Sequence, residues 1–183
     1  MTTLLAVDPS VNSAGAAVYR DGVLMASARI TCDVEGSHGA RCMAMAWRIA
    51  EWARAARPDI FAFEWPQIYA GSKQKTDPND LPGLAGVGVG VAAYLAPRQV
   101  LSPTPAQWSG QVPKTVEAIR KGKRVRVKPK DPWTTPRGIR VWERLSPAER
   151  MLVQAQHDVI DAVAIGLWCL GRFEVRRAMP GAV

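Results

Sequence analysis

The stretch LLAVDPSVNSAGAAVY, residues 4 to 19, decides the fold that we expect for this chain. Its first apolar run ends on one carboxylate, Asp8, and a turn of small and polar residues separates it from a second apolar run. A short apolar run bounded by turn residues is typical of a buried β-strand. We therefore predict that residues 3–7 form a strand of the central sheet and that Asp8 stands at its end.

The second apolar run extends this strand into an antiparallel sheet. Asp21 and Gly22 form a dipeptide that favours a two-residue hairpin turn, so three antiparallel strands open the chain. A helical pattern that stops at Pro58 follows, and the next apolar run again ends on a carboxylate, Glu64. The elements that we predict after the first strand are strands at 14–19 and 23–30, a helix at 40–57, a strand at 59–63, a helix at 82–96, a strand at 99–102 and a short helix at 104–109.

The length and composition favour a single globular domain. The chain has 183 residues, of which 48% are hydrophobic and 22% charged, and we treat residues 1–183 as one domain with one core. No apolar run approaches the roughly 20 residues that span a bilayer. The first residues lack the pattern of a signal peptide. We expect a cytoplasmic protein with no membrane partner.

The net charge of +8 is concentrated in one segment of the chain. Residues 114–144 hold eleven Lys and Arg against three acids, and the remainder of the chain is neutral. A neutral domain with one strongly basic segment favours a polyanionic partner such as nucleic acid, and a solvated surface loop is the alternative. Pro129, Pro132 and Pro136 argue against regular structure in the second half of the segment.

Helical periodicity returns after the basic segment. Ser146-Pro147-Ala148-Glu149 has the form of a capping box with proline at the first helical position. It predicts a helical region that runs to Leu170, either as one helix or as two that join near Gln156.

Two aspartates stand three residues apart in this last helical region. Asp158 and Asp161 therefore share one face of a helix whose other residues are largely apolar. Aspartate is a poor helix former, and like charges at this spacing repel each other. The pair belongs either to a solvated face near the helix N-terminus or to a functional site.

Four carboxylates could meet if the two strand ends lie beside this helix. Such a cluster requires cations or protonation to relieve its repulsion. Carboxylate oxygens suit Mg²⁺ or Mn²⁺, and two such ions about 4 Å apart can activate water in phosphodiester hydrolysis. The sequence thus predicts a two-metal nuclease site, with the basic segment holding the nucleic acid. Its ligands are Asp8, Glu64, Asp158 and Asp161.

Three segments in this order resemble the RuvC-like Holliday junction resolvases of the ribonuclease H-like (retroviral integrase) superfamily. They are AVDPSVNSAGAAV at residues 6–18, FAFEWP at 61–66 and HDVIDAVAIGLW at 157–168. A fourth segment, PTPAQWSGQVPK at 103–114, is similar to the form found in phage-type members. The resemblance implies an α/β domain with a ribonuclease H-like fold. Its sheet is five-stranded and mixed, with three antiparallel strands plus two parallel ones, and it is flanked by helices.

The resemblance also implies the roles of the acids. In that family the metal ligands are the first-strand aspartate, the fourth-strand glutamate and the last-helix aspartates, which match the four acids named above. Some members have a histidine near the start of the last helix that assists the metal or the attacking water. His157 is the candidate here, and a partly exposed helix-start residue is the alternative. The implied cofactor is Mg²⁺, for which Mn²⁺ can substitute, with two ions per active site.

Members of this family use an aromatic residue after the glutamate to disturb stacking at the junction centre. Tyr69 is our first candidate for this residue and Trp65 the second, and packing beneath the loop is the alternative. The basic DNA-binding insert, at about residues 114–144, is longer and more charged than the family pattern. Trp133 and Trp142 within it either anchor it to the domain or stack on DNA. The predicted DNA-binding residues are Tyr69, Lys73, Lys75, Lys114, Lys121, Lys123, Arg124, Arg126, Lys128 and Lys130.

These residues and the resemblance together predict a metal-dependent, structure-selective endonuclease. It would be a crossover junction endodeoxyribonuclease that resolves four-way (Holliday) DNA junctions by paired symmetric nicks. The implied assembly is a homodimer, with the small-residue helix at 82–96 as a candidate subunit contact. The alternatives are a related nuclease that acts on forks, flaps or RNA–DNA hybrids, and a nuclease-dead DNA-binding module on the same fold.

Overall fold

The strand that begins the chain forms the centre of the sheet. The computed structural model describes residues 1–67, 80–109, 112–120 and 123–173. Strand β1 (Thr3–Asp8) pairs antiparallel with β2 (Ser13–Arg20) and parallel with β4 (Ile60–Phe63). All of β1 before Asp8 is buried, as expected for a strand with neighbours on both sides and helices on both faces.

The complete sheet has the strand order β3-β2-β1-β4-β5. Strand β3 (Val23–Thr31) is antiparallel to β2, and β5 (Gln99–Leu101) is parallel to β4. The predicted mixed sheet of three antiparallel strands plus two parallel ones is therefore confirmed. Asp21 and Gly22 form the hairpin turn, and both have the positive φ that a type I′ turn requires.

Helices cover both faces of the sheet and divide the core in two. Successive β1 side chains alternate, so Leu5 and Val7 pack towards one helix pair while Leu4 and Ala6 pack towards another helix. The pair is α1 (His38–Ala53) and α2 (Asp80–Leu95), and the opposite helix is α6 (His157–Cys169). The shorter elements are a 3₁₀ turn at Arg54–Ala56, α3 (Pro105–Trp108), a 3₁₀ turn at Pro132–Thr134, α4 (Pro136–Arg144) and α5 (Pro147–Arg150). No helix in the described ranges is long and apolar enough to cross a membrane.

The basic segment is more regular than its prolines predict. Its first half forms a hairpin of β6 (Val116–Arg120) and β7 (Lys123–Val127), a separate two-stranded sheet. Its second half contains α4, so the prediction of irregular structure there is wrong. Pro136 occupies the first helical position, where a backbone N–H is not needed, and Thr135 Oγ1 caps the helix by accepting from Gly138 N at 2.9 Å.

The last helical region is two helices, one of the two arrangements that the sequence left open. Helix α5 ends at Arg150, and residues 151–156 join it to α6, so the joint ends at Gln156 but begins five residues before it. Helix α6 approaches β2 most closely at Gly15, where an added Cβ would lie 1.9 Å from the carbonyl oxygen of Asp158. Gly15 is the partner of Asp8 in the β1–β2 register. The absence of a side chain at Gly15 therefore lets the start of α6 reach the strand end that carries Asp8.

Glu149 fastens α5 to the edge strand β3. This carboxylate is only 3% exposed and accepts hydrogen bonds from Leu24 N at 3.0 Å and Ser146 N at 2.8 Å. It also receives both terminal nitrogens of Arg172, at 3.0 and 3.1 Å. Burial alone would raise the pKa of Glu149, but the hydrogen bonds from Arg172, Leu24 and Ser146 outweigh it and lower that pKa to about 2.

We expect Glu149→Ala to lower the free energy of unfolding by about 3 kcal/mol, because it leaves the Arg172 guanidinium without its partner. The Glu149 contribution is complete above the ordinary carboxyl pKa of 4.5 and is lost as the pH falls towards 2. Urea unfolding at pH 7 and at pH 3 measures both effects. Glu51→Ala, which breaks the exposed Glu51–Arg54 pair, is the matched control and should change stability by less than about 1 kcal/mol. Equal losses in the two variants would contradict the role given to Glu149.

Candidate active site

Asp8 and Glu64 leave the same edge of the sheet from neighbouring parallel strands. Val7 is the register partner of Phe63, and Glu64 N donates to Val7 O at 3.2 Å. The side chains of the next residues on each strand, Asp8 and Glu64, are therefore held beside each other at the carboxyl ends of β1 and β4.

The first turns of α6 bring the two aspartates to this edge. Asp161 is 2% exposed, whereas the Asp158 side chain remains partly open to solvent. Ser13 Oγ donates to Asp158 Oδ2 at 2.8 Å, and Arg29 Nε lies 3.5 Å from the same oxygen. A hydroxyl from β2 and a guanidinium from β3 thus fix the orientation of Asp158.

Two cationic side chains contact the buried Asp161. Lys114 Nζ forms an ion pair with Oδ2, and Arg137 Nη1 donates to Oδ1 at 2.8 Å. Arg137 is itself buried, and its Nη2 donates to Val112 O at 2.9 Å. Lys114 was predicted from the sequence as a DNA-binding residue, whereas Arg137 was missed. Nothing in the local pattern distinguishes Arg137 from Arg140, which is exposed on the same helix.

Trp108 contacts both Glu64, at the end of β4, and Arg137, the partner of Asp161. Its ring is fully buried, and its Nε1 donates to Glu64 Oε2 at 2.7 Å. The Arg137 guanidinium carbon lies 4.8 Å from the centroid of the same ring, within the range of a cation–π contact. One indole therefore holds Glu64 directly and Asp161 through Arg137. Sequence reasoning did not single out Trp108, because a buried tryptophan in a short helix looks like core material.

The close packing of carboxylates and cations shifts the pKa values of the groups in the site. Burial raises the pKa of Asp8 well above its ordinary value. The charge of Lys114 opposes this rise, and the three other carboxylates add to it. Burial also raises the pKa of Glu64, against the opposing effects of Lys114 and the Trp108 hydrogen bond. Burial alone would lower the pKa of Lys114, but the charges of Asp161 and Asp8 outweigh it and raise that pKa.

This donor set fits a hard divalent cation. Carboxylates with raised pKa values carry unfavourable negative charge that Mg²⁺ or Mn²⁺ would offset, and oxygen is the ligand that these ions prefer. Within the part of the chain that the structure describes, no three His, Cys, Asp or Glu side chains form a complete metal cluster as they stand. Lys114 and Arg137 offset the charge of Asp161 in this arrangement.

His157 is the first residue of α6 and lies between the acids and the basic insert. Its Nε2 is 2.8 Å from Pro129 O, and because a carbonyl only accepts, Nε2 carries the proton. The Nδ1 atom is then the nitrogen that could accept a proton.

The structure separates the remaining predicted residues into three groups. Arg124, Arg126, Lys128 and Lys130 are exposed along the basic insert. Trp65 is exposed near the end of β4, with its ring centroid 5.9 Å from that of Phe63. Tyr69, Lys73, Lys75, Lys121 and the side chain of Lys123 lie outside the described residues.

The two tryptophans of the insert contact each other rather than standing free. The ring centroids of Trp133 and Trp142 are 5.0 Å apart in an edge-on arrangement, and Arg150 lies over Trp142 at 4.7 Å. Trp133 also packs against the core cluster that contains α6. These contacts favour the anchoring alternative for both side chains.

The strand order and the position of α6 define the class of fold. Three antiparallel strands followed by two parallel ones, with a helix that brings acids to the ends of β1 and β4, form a ribonuclease H-like fold.

Comparison with solved structures agrees with this assignment. The chain is similar to RuvC from Thermus thermophilus, with a TM-score of 0.55 and 15% identity over 93% of this chain and 98% of that chain. It is also similar to T. thermophilus RuvC in complex with a Holliday junction substrate, with a TM-score of 0.54 and 15% identity over 91% of each chain. A Pseudomonas aeruginosa protein described as similar to the peptidase YeaZ reaches a TM-score of only 0.41, at 17% identity over 93% of this chain and 94% of that chain. No protein-family model and no curated protein matches the sequence. At these identities the similarity to RuvC shows the fold alone.

Proposed function

We propose that this chain is a metal-dependent, structure-selective endonuclease that resolves four-way DNA junctions, a crossover junction endodeoxyribonuclease of the phage type. One observation carries the proposal: two strand ends and one helix start bring four acids to a single edge of a ribonuclease H-like sheet, where the other three raise the pKa of Asp8. The solved RuvC complex with a Holliday junction substrate supports branched DNA as the partner. A cytoplasmic location belongs to the same proposal.

Asp8, Glu64, Asp158 and Asp161 would hold two Mg²⁺ ions, which Mn²⁺ could replace. When bound, the ions would polarise the scissile phosphate and lower the pKa of the attacking water. The water oxygen forms a bond to phosphorus as the bond to the 3′ oxygen breaks, which leaves a 5′-phosphate and a 3′-hydroxyl.

The residues around the acids have separate tasks in this proposal. Arg137 and Trp108 hold Asp161 and Glu64 in fixed orientations through their 2.8 and 2.7 Å hydrogen bonds. The Lys114 ammonium stabilises negative charge that develops on the phosphate. His157 Nδ1 would accept the proton of the attacking water, because the Nε2 proton is donated to Pro129 O.

We also propose that the enzyme acts as a homodimer through the outer surface of α1 and α2. Met43, Trp47, Val89 and Tyr94 are large hydrophobic side chains exposed on these two packed helices. No charged residue occurs in α2 after Asp80. Large apolar side chains that remain exposed on two packed helices favour a protein interface at this surface. A dimer fits the reaction because two symmetric strands must be cut.

A supercoiled plasmid that extrudes a cruciform tests both parts of this proposal. With Mg²⁺ the protein should convert the plasmid mainly to the linear form, because a dimer nicks both strands within one complex. Synthetic four-way junctions should be cut in preference to forks, flaps and RNA–DNA hybrids. Preferential cutting of the hybrid would contradict junction resolution, and accumulation of nicked circles would contradict the dimer. Junction binding without any cutting would favour the nuclease-dead module.

A further inference from the structure

Four basic side chains are exposed at alternate positions of the insert. From position 124 to position 130 the exposure of the chain alternates strictly. Arg124, Arg126, Lys128 and Lys130 are exposed, and Val125, Val127 and Pro129 between them are partly buried. Arg124 and Arg126 lie in β7, where alternate side chains share a face about 6.7 Å apart, and Lys128 and Lys130 follow the end of that strand. We call these four residues the basic row.

The basic row is not balanced by acids of the domain. Among the described residues none of its four members forms an ion pair. The nearest acid in the hairpin register is Glu117, opposite Arg126. Four exposed charges of one sign at alternate positions within seven residues therefore attract a polyanion.

The row leads to the start of α6. The carbonyl of Pro129, which lies between Lys128 and Lys130, accepts from His157 Nε2 at 2.8 Å. His157 is followed in α6 by Asp158. At the other end of the insert, β6 begins shortly after Lys114, which contacts Asp161. Both ends of the hairpin are thus attached beside the carboxylates, and Lys130 lies nearer to them along the chain than Arg124.

We propose that the basic row is a track for one phosphodiester backbone, which it leads towards the four acids. The inference rests on the proposed nuclease function. It adds that the insert binds a single DNA strand and that this strand runs along the insert towards the acids. The contacts are to phosphates, so they carry no base sequence. Residues closest to Pro129 would contact the phosphates nearest to the scissile bond.

The first test is the salt dependence of junction binding. In the variant R124Q/R126Q/K128Q/K130Q the slope of log affinity against log salt should fall by about 3, because each lost phosphate contact removes about 0.7–0.9. The matched control R48Q/R54Q/R57Q/R98Q removes the same charge from exposed arginines away from the insert. The control should keep more of the wild-type slope. Equal slopes in the two variants would overturn the track.

The second test separates a track from a diffuse positive surface. Junctions that carry one neutral methylphosphonate at successive positions of one strand should lose affinity for the wild type over consecutive positions on one side of the cleavage point. The same substitutions should have no effect on the basic-row variant. Equal losses on the cleaved strand and on the strand paired with it in the same arm would overturn the proposal. The proposed nuclease function is tested separately, by cleavage with the wild type and loss of cleavage in Asp8→Asn. That test does not depend on the salt slopes or on the methylphosphonate affinities.

Discussion

Asp8→Asn should abolish metal-dependent junction cleavage and leave junction binding intact. Asparagine keeps the volume of the side chain but removes one of the negative charges that would hold the ions. Loss of a few kcal/mol of transition-state stabilisation from the metal site corresponds to a fall of about 10³-fold in the cleavage rate. Single-turnover cleavage of a labelled junction measures the rate, and a gel-shift titration measures binding.

Of the two aspartates whose substitution should abolish cleavage, Asp8 gives the result that is easier to interpret. Asp161→Asn should have the same effect on cleavage, but it also leaves Lys114 and Arg137 without their carboxylate partner, which costs stability. Its unfolding curve must therefore be recorded beside its rate. Asp59→Asn is the matched control, because Asp59 precedes β4 at the opposite edge of the sheet and accepts from Thr3 N. If Asp8→Asn cleaves like Asp59→Asn, the assignment of the metal ligands is wrong.

Trp108→Phe should reduce cleavage about 10- to 100-fold, the usual cost of removing a group that orients a metal ligand. Phenylalanine retains an aromatic face beneath Arg137 but has no N–H to donate to Glu64 Oε2. The affinity for Mn²⁺ should fall with the rate, and DNA affinity should not change. A role in packing alone would affect thermal stability without affecting Mn²⁺ affinity.

Trp133→Phe supplies the comparison for this variant. Trp133 is a partly buried tryptophan packed on the same core cluster as Trp108, and its ring contacts Trp142 rather than Glu64 or Arg137. It should lose stability without losing Mn²⁺ affinity. Equal Mn²⁺ affinities in Trp108→Phe and Trp133→Phe would contradict the proposal that Trp108 positions Glu64.

The sequence predicted the sheet because its signals are local. The apolar run before Asp8 and the Asp21-Gly22 turn fix a strand and a hairpin without help from distant residues. The apolar run before Glu64 did the same for β4. The neighbouring positions of Asp8 and Glu64 then follow from the parallel pairing of two buried strands.

The parts that the sequence did not predict depend on tertiary contacts. Arg137 is buried only because α4 packs near α6, and in the sequence it is one arginine among many in a basic segment. Strand β7 alternates basic and apolar residues from Arg124 to Val127, a strand pattern that the high charge density obscured. Helix α4 begins with a proline, which favours a helix start, although prolines in a cluster suggest a loop.

A titration of the protein with Mn²⁺ tests the central claim most directly, because it measures the proposed metal site without DNA. The carboxylates should give saturable binding that approaches two ions per chain, and Asp8→Asn should weaken it at least about tenfold, whereas Asp59→Asn should leave it unchanged. Absence of saturable binding, or binding that Asp8→Asn does not alter, would contradict a metal-dependent nuclease built on these four acids.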